Sequence, residues 1–293
     1  MVFRSFLSPL DGYTDLAFRL LCQRYGADAA CVPLVNSTAI AFDSSKISMV
    51  DAHADEKNIG IQLVGNDPKA MGTTAGLVSE KMPFVRWLNV NCGCPSVRTR
   101  GYGGGSALLA HPEKISALLI EIRKHTDVPV SVKIRILKGL DGTVSLCRLL
   151  EEAGADFIII HGRTPEQHYS GKADWGLIGK IKQEVSVPVV GNGDIKSAAE
   201  GRELAGRYCD SFMVGRAAMA NPMLFSDREP DGMGGRFGLL DEYLSLHREY
   251  VGEPSLKDVK LKAMNFVSGV QDARKIRNRI ARADTIEEIL VIR

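Results

Sequence analysis

The chain has few aromatic residues, no long apolar run and almost no net charge. Phe, Trp and Tyr make up 6% of its 293 residues against 45% for all hydrophobic types, so its core must be built mainly from aliphatic side chains. No apolar run approaches the roughly 20 residues that would span a bilayer, and no membrane role is expected. A net charge of +2 gives no global attraction to nucleic acid, so any basic partner surface has to be local. Cysteine is sparse as well: Cys22, Cys31, Cys92, Cys94, Cys147 and Cys209 are scattered, mostly in apolar contexts. The opening MVFRSFLSPLDG shows no signal-peptide pattern, which together with the cysteine usage leads us to expect a reduced, cytoplasmic setting.

What is present is a repeating alternation. Short aliphatic runs occur at FRSFLSP, AACVPLV, IGIQLVG, RWLNVN, PVSVKIR, DFIIIHG, VPVVGNG and DSFMVGR, eight candidate strands in all. Helical signals lie between most of them. TDLAFRLLCQRYG runs from a Thr14 N-cap to a Gly26 stop, HPEKISALLIEIRKH has Pro112 near its start and basic residues at its end, and DGTVSLCRLLEEAG ends on Gly154. Continuous apolar runs are what parallel strands covered on both faces require. A doubly wound sheet would alternate in the same way, so it is the strand count that predicts an α/β (β/α)8 TIM barrel, over residues 1–225. The polar, glycine-rich stretch 226–238 reads as a linker. Residues 239–293 have no strand signal and repeat apolar residues at three- and four-residue spacing, predicting a small C-terminal all-helical domain.

Chemistry in such a barrel sits where strands end. The first strand ends in Ser8, Pro9, Leu10, Asp11 and Gly12, the third carries Gln62, and the fourth ends in Asn91, Cys92, Gly93 and Cys94. The fifth offers Lys133 and Arg135, the sixth His161, Gly162 and Arg163, the seventh Gly191, Asn192, Gly193 and Asp194, and the eighth Gly215 and Arg216. Glycines after the last two strands, each followed by a helix, free backbone N–H groups to close on a phosphate, with Arg216 as a charged fork. The same glycines also serve tight turns. A flavin mononucleotide would need apolar support under its ring, donors along its pyrimidine edge and a nearby cation. Pro9 and Leu10 supply the first, Gln62 and His161 the second, and Lys133 the third. Lys133 alternates with Val132 and Ile134 in an apolar strand, where an unpaired ammonium would be costly. Gln62 and His161 could equally be satisfied structural groups, and Arg163 a salt-bridge partner of Asp174. Cys92 and Cys94 could bind a metal only with a second suitably spaced Cys or His pair; the chain has none, and no metal is expected.

Together, SPLDGYTDLAFR, IQLVG, LNVNCGCPSVRTRGYGGGSALL, VSVKIR, HGRTPEQHYSGKADW, GNGDI and VGRAAMANP closely resemble the tRNA dihydrouridine synthases, over Phe3 to about Pro222 and in outline through the helical tail. The opening motif of that family usually reads Ala, Met and Val where this chain has Ser8, Leu10 and Tyr13. The resemblance implies a flavin enzyme that holds FMN, takes electrons from NADPH or NADH, and reduces uridine to dihydrouridine in the D-loop of tRNA. Reducing the 5,6 double bond of uracil needs a hydride at C6 and a proton at C5 from the other face of the base. By resemblance Cys94 is the acid, Asn91 helps to hold the base, and Cys92 is a packed neighbour. Arg98 and Arg100 follow closely and would face either the thiol or RNA phosphates.

A tRNA substrate requires a surface that grips its backbone. Arg274, Lys275, Arg277, Arg279 and Arg282 fall within about three helical turns, and Lys257, Lys260 and Lys262 lie just before them. This concentration predicts a phosphate-gripping helical domain, although the same segment packs Ile276 and Ile280 on one face. No obligate protein partner is implied. Two other readings stay open at this point. A flavin barrel of the dihydroorotate or dihydropyrimidine dehydrogenase kind would act on a free pyrimidine and would not need the basic tail. A non-catalytic RNA-binding barrel would keep the tail and lose the flavin.

Overall fold

The computed structural model describes residues 3–101 and 103–292. Its eight parallel strands are β1 (Ser5–Leu7), β2 (Ala30–Asn36), β3 (Ile59–Val64), β4 (Trp87–Cys92), β5 (Val130–Arg135), β6 (Phe157–His161), β7 (Val189–Asn192) and β8 (Ser211–Val214). They lie in the order β1-β8-β7-β6-β5-β4-β3-β2. Phe6 bridges Ala29 in parallel, and the Leu7 N–H donates to Ala29 O at 2.9 Å, so β1 also meets the start of β2 and the ring closes. The expected barrel is therefore the observed one, with each of the eight apolar runs forming a strand.

The run Ile158-Ile159-Ile160 shows why. Ile158 and Ile160 pack into the layer between strands and helices, whereas Ile159 fills the lumen with Phe6, Trp87, Phe157 and Met213. Each such residue stabilises the fold by about 1.5–3 kcal/mol through burial. The scarce aromatics are spent at the lumen floor: the Trp87 ring stands 5.6 Å from Phe6 and 5.5 Å from Phe157. A Cβ on Gly60 would come within 2.3 Å of the Trp87 indole, so only glycine lets that ring in. With its floor plugged, the barrel opens at the carboxyl ends of its strands.

Two expectations at element ends are corrected. The first helix, Leu16–Arg24, is capped by Asp15, whose Oδ1 accepts from the Phe18 N–H at 2.9 Å, and not by Thr14. Thr14 instead exchanges hydrogen bonds with the backbone of Leu10, because the chain turns back there before the helix begins. The stretch 226–238 is not wholly a linker, since a helix over Gly232–Tyr250 starts inside it. Its glycines are poor helix formers, but Phe237, Leu239 and Leu240 are fully buried, and that burial outweighs the propensity cost of about 1 kcal/mol per glycine. Helices Leu256–Phe266, Ala273–Arg282 and Ile286–Leu290 follow.

The tail is fastened to the barrel. Phe18 stacks on Phe266 at 6.3 Å, and the buried Lys262 ammonium pairs with Asp15 at 2.6 Å and donates to Tyr13 O. Tyr243 reaches the same Asp15 at 3.4 Å. Among the described residues no helix is long and apolar enough to cross a membrane.

Candidate active site

The ends of all eight strands line one cleft of about 780 Å³. Every residue expected at a cofactor or at the reacting base, from Ser8 to Arg216, lies on its wall. After β1, the Leu10–Thr14 turn holds Pro9 and Leu10 as an apolar wall, with Ser8 behind them.

Across β3, β4 and β5 runs a chain of buried amides. The Asn89 Nδ2 donates to Ser131 Oγ at 2.7 Å, Gln62 Nε2 to Asn89 Oδ1 at 2.8 Å, and Asn91 Nδ2 to Gln62 Oε1 at 2.7 Å. Asn91 Oδ1 then accepts the N–H groups of Gly93 at 3.2 Å and Cys94 at 3.0 Å. Each member satisfies the next, which fixes the turn that carries the Cys94 thiol. The two cysteines part here. Cys92, inside the strand, is fully buried in the core and burial pushes its thiol well up, whereas Cys94 lies past the strand end on the cleft wall.

On β5, Lys133 Nζ donates to Asn192 Oδ1 at 3.1 Å. Burial, joined by the charge of Arg135, brings its pKa down to about 8. Arg135, noted at the strand end but given no role from sequence, is a strut. Its Nε donates to Gly93 O at 3.1 Å and its Nη1 to Thr164 O at 3.0 Å and His168 O at 2.9 Å, tying the Cys94 turn to the loop after β6. His161 is brought down to about 2, first by burial and then by Lys133, Arg135, Arg163 and Arg216, so its ring is neutral at physiological pH.

Arg163 does pair with an aspartate, but it is Asp194 rather than Asp174, because Asp174 turns away to cap the helix Trp175–Lys182. Arg163 Nη2 lies 2.8 and 2.7 Å from the two Asp194 oxygens. Asp194 also accepts from the Ala173 N–H at 2.8 Å and from Arg216 at 3.2 Å. Burial alone would raise its pKa; these bonds and the two guanidiniums hold it below the usual carboxylate range. Its carboxylate therefore orients two arginines on the cleft wall. Gly193 (φ +130°) must be glycine, since a Cβ would lie 2.6 Å from the Ala173 methyl. Gly215 leads directly into the short helix Arg216–Ala220, whereas a loop separates Gly193 from the helix Ala198–Tyr208.

A family model described as dihydrouridine synthase (Dus) matches residues 6–288. The probable tRNA-dihydrouridine synthase of Aquifex aeolicus (strain VF5) is 30% identical over 97% of this chain and 93% of its own length. The tRNA-dihydrouridine synthase B of Escherichia coli (strain K12) is 33% identical over 76% of this chain and 70% of its own. The chain belongs to the dihydrouridine synthase family. It is thus an oxidoreductase of a flavin-dependent family, and that membership does not favour the free-pyrimidine alternative. Solved structures share its barrel: morphinone reductase has a TM-score of 0.54 at 14% identity, over 78% of this chain and 87% of that one. A 2-naphthoyl-CoA reductase complex has a TM-score of 0.57 at 11% identity, over 75% of this chain and 49% of that one.

The cleft of this family member fits a flavin nucleotide on its own geometry. Arg163 Nη1 is buried with no hydrogen-bond partner among the described residues, a donor that an anionic ligand at the Arg216 end would satisfy. Six cationic side chains line the cleft (Lys133, Arg135, Arg163, Lys172, Lys196 and Arg216) against three acidic ones (Asp11, Asp194 and Glu200). Tyr169 was missed from sequence. Its ring lies under the guanidinium of Arg216 at 4.4 Å and that of Arg135 at 5.9 Å, and an aromatic in the glycine-flanked loop HYSG was the available signal.

The residues expected at RNA stand outside this cleft. Arg98 and Arg100 are exposed on the short helix Val97–Gly101, next to the Cys94 turn. Arg274, Arg277, Arg279 and Arg282 are exposed on Ala273–Arg282 with no side-chain partner among the described residues, and Lys275 pairs only with Asp272. Lys262 is corrected, because it is buried against Asp15, while Lys260 donates to Ala281 O at 2.9 Å in an exposed bond.

Proposed function

We propose that this chain works in the cytoplasm, reducing specific D-loop uridines of tRNA to 5,6-dihydrouridine with FMN as cofactor, NADPH or NADH as the source of electrons and Cys94 as the proton donor. The observation that carries this reading is a part-exposed thiol, fixed by Asn91 through two backbone amides, in the same cleft as a half-buried lysine and a neutral histidine. When bound, FMN supplies the hydride that adds to C6 of uracil. The proton for C5 comes from Cys94 Sγ, leaving a thiolate that solvent reprotonates. Asn91 holds the Cys94 turn through its Oδ1 and would help to hold the base.

For the cofactor, Pro9 and Leu10 would support the ring from the β1 side, and Lys133 would stand as the cation beside it. Ser8, Gln62, His161 and Asn192 would offer the polar edge, and Arg163, Gly193, Gly215 and Arg216 the phosphate end, with Asp194 aligning the arginines. Arg98 and Arg100 at the rim and Arg274, Lys275, Arg277, Arg279 and Arg282 on the tail would hold tRNA phosphates. Unstacking the target base costs a few kcal/mol in a duplex and much less in a loop, which favours a loop uridine.

Mass mapping of dihydrouridine in tRNA from cells with and without this protein tests the reading. Loss of dihydrouridine at one or more D-loop positions is expected, and an unchanged map overturns it.

A further inference from the structure

A second cleft, of about 450 Å³, opens beside the first, and Tyr13 and Leu34 line both. One wall is the end of β2 and the segment after it, including Ala39 and Val50; the other belongs to the tail, through His247 and Asp258. The chemistry above makes no use of it. The partition is built at a backbone cost: Leu34 sits at φ +44°, within a register shift between Val32 and Val35. A leucine in that region is strained, which fits a position held for a site.

Three of its lining residues carry a polar atom without a hydrogen-bond partner among the described residues. Asp51 uses Oδ2 for the Leu16 N–H at 2.8 Å and for Arg19 at 3.4 Å, leaving Oδ1. Asp258 uses Oδ2 for the Ser255 hydroxyl at 2.6 Å, also leaving Oδ1. His247 is buried, 7% exposed, and its Nδ1 lies 2.7 Å from Gly252 O. A carbonyl only accepts, so Nδ1 donates to it, and Nε2 is left without a partner among the described residues.

We propose that this cleft receives a nucleobase adjacent in the RNA chain to the target uridine, and that it selects a base with an exocyclic amino group. This rests on the reading of the first cleft as the site of tRNA uridine reduction. A uridine that enters the first cleft carries its neighbours to the rim, and single-stranded RNA is read by splaying such bases out, stacking them and hydrogen-bonding their edges. Tyr13 stands at the partition as the stacking surface. Val50, Ile40 and Met49 offer apolar contact to a base face. Lys46 also lines the cleft but pairs with Asp43 at 3.8 Å, so the carboxylates of Asp51 and Asp258 disfavour a phosphate there, and the free acceptors meet the N–H groups of guanine, adenine or cytosine, whereas the carbonyls of uracil would face them unpaired.

The test uses the full chain and tRNA transcripts in which each neighbour of the target uridine is paired with its counterpart lacking the amine: guanosine with inosine, or adenosine with purine riboside. Within one enzyme, the ratio of kcat/KM for the two transcripts is expected to be about tenfold at one of the two positions, the scale of one hydrogen bond to a charged acceptor. In Asp258→Asn, which turns an acceptor into a donor, the ratio should fall below threefold. Ala39→Trp, which fills the cleft, should also remove the ratio, so the proposal stays testable if one variant does not fold. A wild-type ratio near one at both neighbours, with dihydrouridine still formed, overturns the cleft assignment alone. A tenfold ratio that survives both substitutions overturns it too, because the amine is then read elsewhere. If the wild type forms no dihydrouridine in any tRNA, the reading of the first cleft falls and this proposal falls with it.

Discussion

Cys92 and Cys94 are two residues apart, yet strand geometry gives them different surroundings: one packs into the core and the other sits past the strand end on the cleft wall. Cys94→Ala is expected to keep bound flavin and its reduction by NADPH or NADH while slowing uridine reduction by about a hundredfold or more, the usual scale for losing a general acid. Cys92→Ala should instead cost stability through the small cavity it leaves, with a much smaller loss of turnover. Single-turnover assays on tRNA, with flavin content measured alongside, separate the two, and the reverse ranking would assign the acid to the wrong thiol. Lys133 makes a pH prediction. Its ammonium in the free protein is held down to about 8, so it is charged below that pH and neutral above it. An anionic ligand favours the charged form, so FMN affinity should be flat below about pH 8 and weaken as pH rises from there, and Lys133→Met should bind FMN more weakly with that dependence removed. Fluorescence titration of FMN between pH 7 and 9 reads both. At this scale the sequence was legible where chemistry shows in the residue type: an ammonium between Val132 and Ile134, a thiol after a strand. Arg135 was not, because its partners are the carbonyls of Gly93, Thr164 and His168, and a backbone oxygen leaves no mark on the sequence.

Strands were easier to read than ends of elements. Parallel strands are covered on both faces, so each appears as an uninterrupted apolar run, and all eight emerged at their places. The helix Gly232–Tyr250 was hidden because its first turns are glycine-rich and only tertiary contact, such as the burial of Phe237, makes them helical. Thr14 and Asp15 are adjacent residues that can each cap a helix, and propensity favours Asp15, the cap observed, only slightly. In the glycine cluster after Cys94, Gly105 is the position whose side chain would meet backbone most closely. Gly105 has φ +61°, and a Cβ there would lie 2.5 Å from Cys94 O, the same carbonyl that accepts the Ser106 N–H at 2.9 Å. Gly105→Ala must therefore displace the turn that carries the thiol. The expected outcome is a loss of tRNA turnover of about tenfold or more with flavin content retained, since near-attack geometry tolerates little misplacement. Wild-type turnover in that variant would show that the turn has slack.

For the whole molecule, the tail was expected as a domain that grips RNA, and the structure divides its basic residues into two groups. Lys262 joins barrel to tail, held by Asp15 and by Tyr13 O at the rim of the first cleft, and cutting the chain after Ser226 would strip the cover from Phe18 and leave Asp15 without its cation. Deleting the tail would therefore confuse folding with binding, and substitution on its outer face is the cleaner probe. Arg274, Arg277 and Arg282 are exposed and unpaired among the described residues, so replacing all three by Gln removes charge without removing a visible contact. If each touches a phosphate, each releases about one counterion on binding, and the slope of log K against log salt should flatten by about one unit per arginine lost. Binding should weaken across tRNA sequences alike, because a phosphate contact carries no base information. Salt titration of tRNA binding, wild type against the triple variant, measures this. Equal slopes would move the RNA grip from the tail to the barrel rim, where Arg98 and Arg100 flank the Cys94 turn.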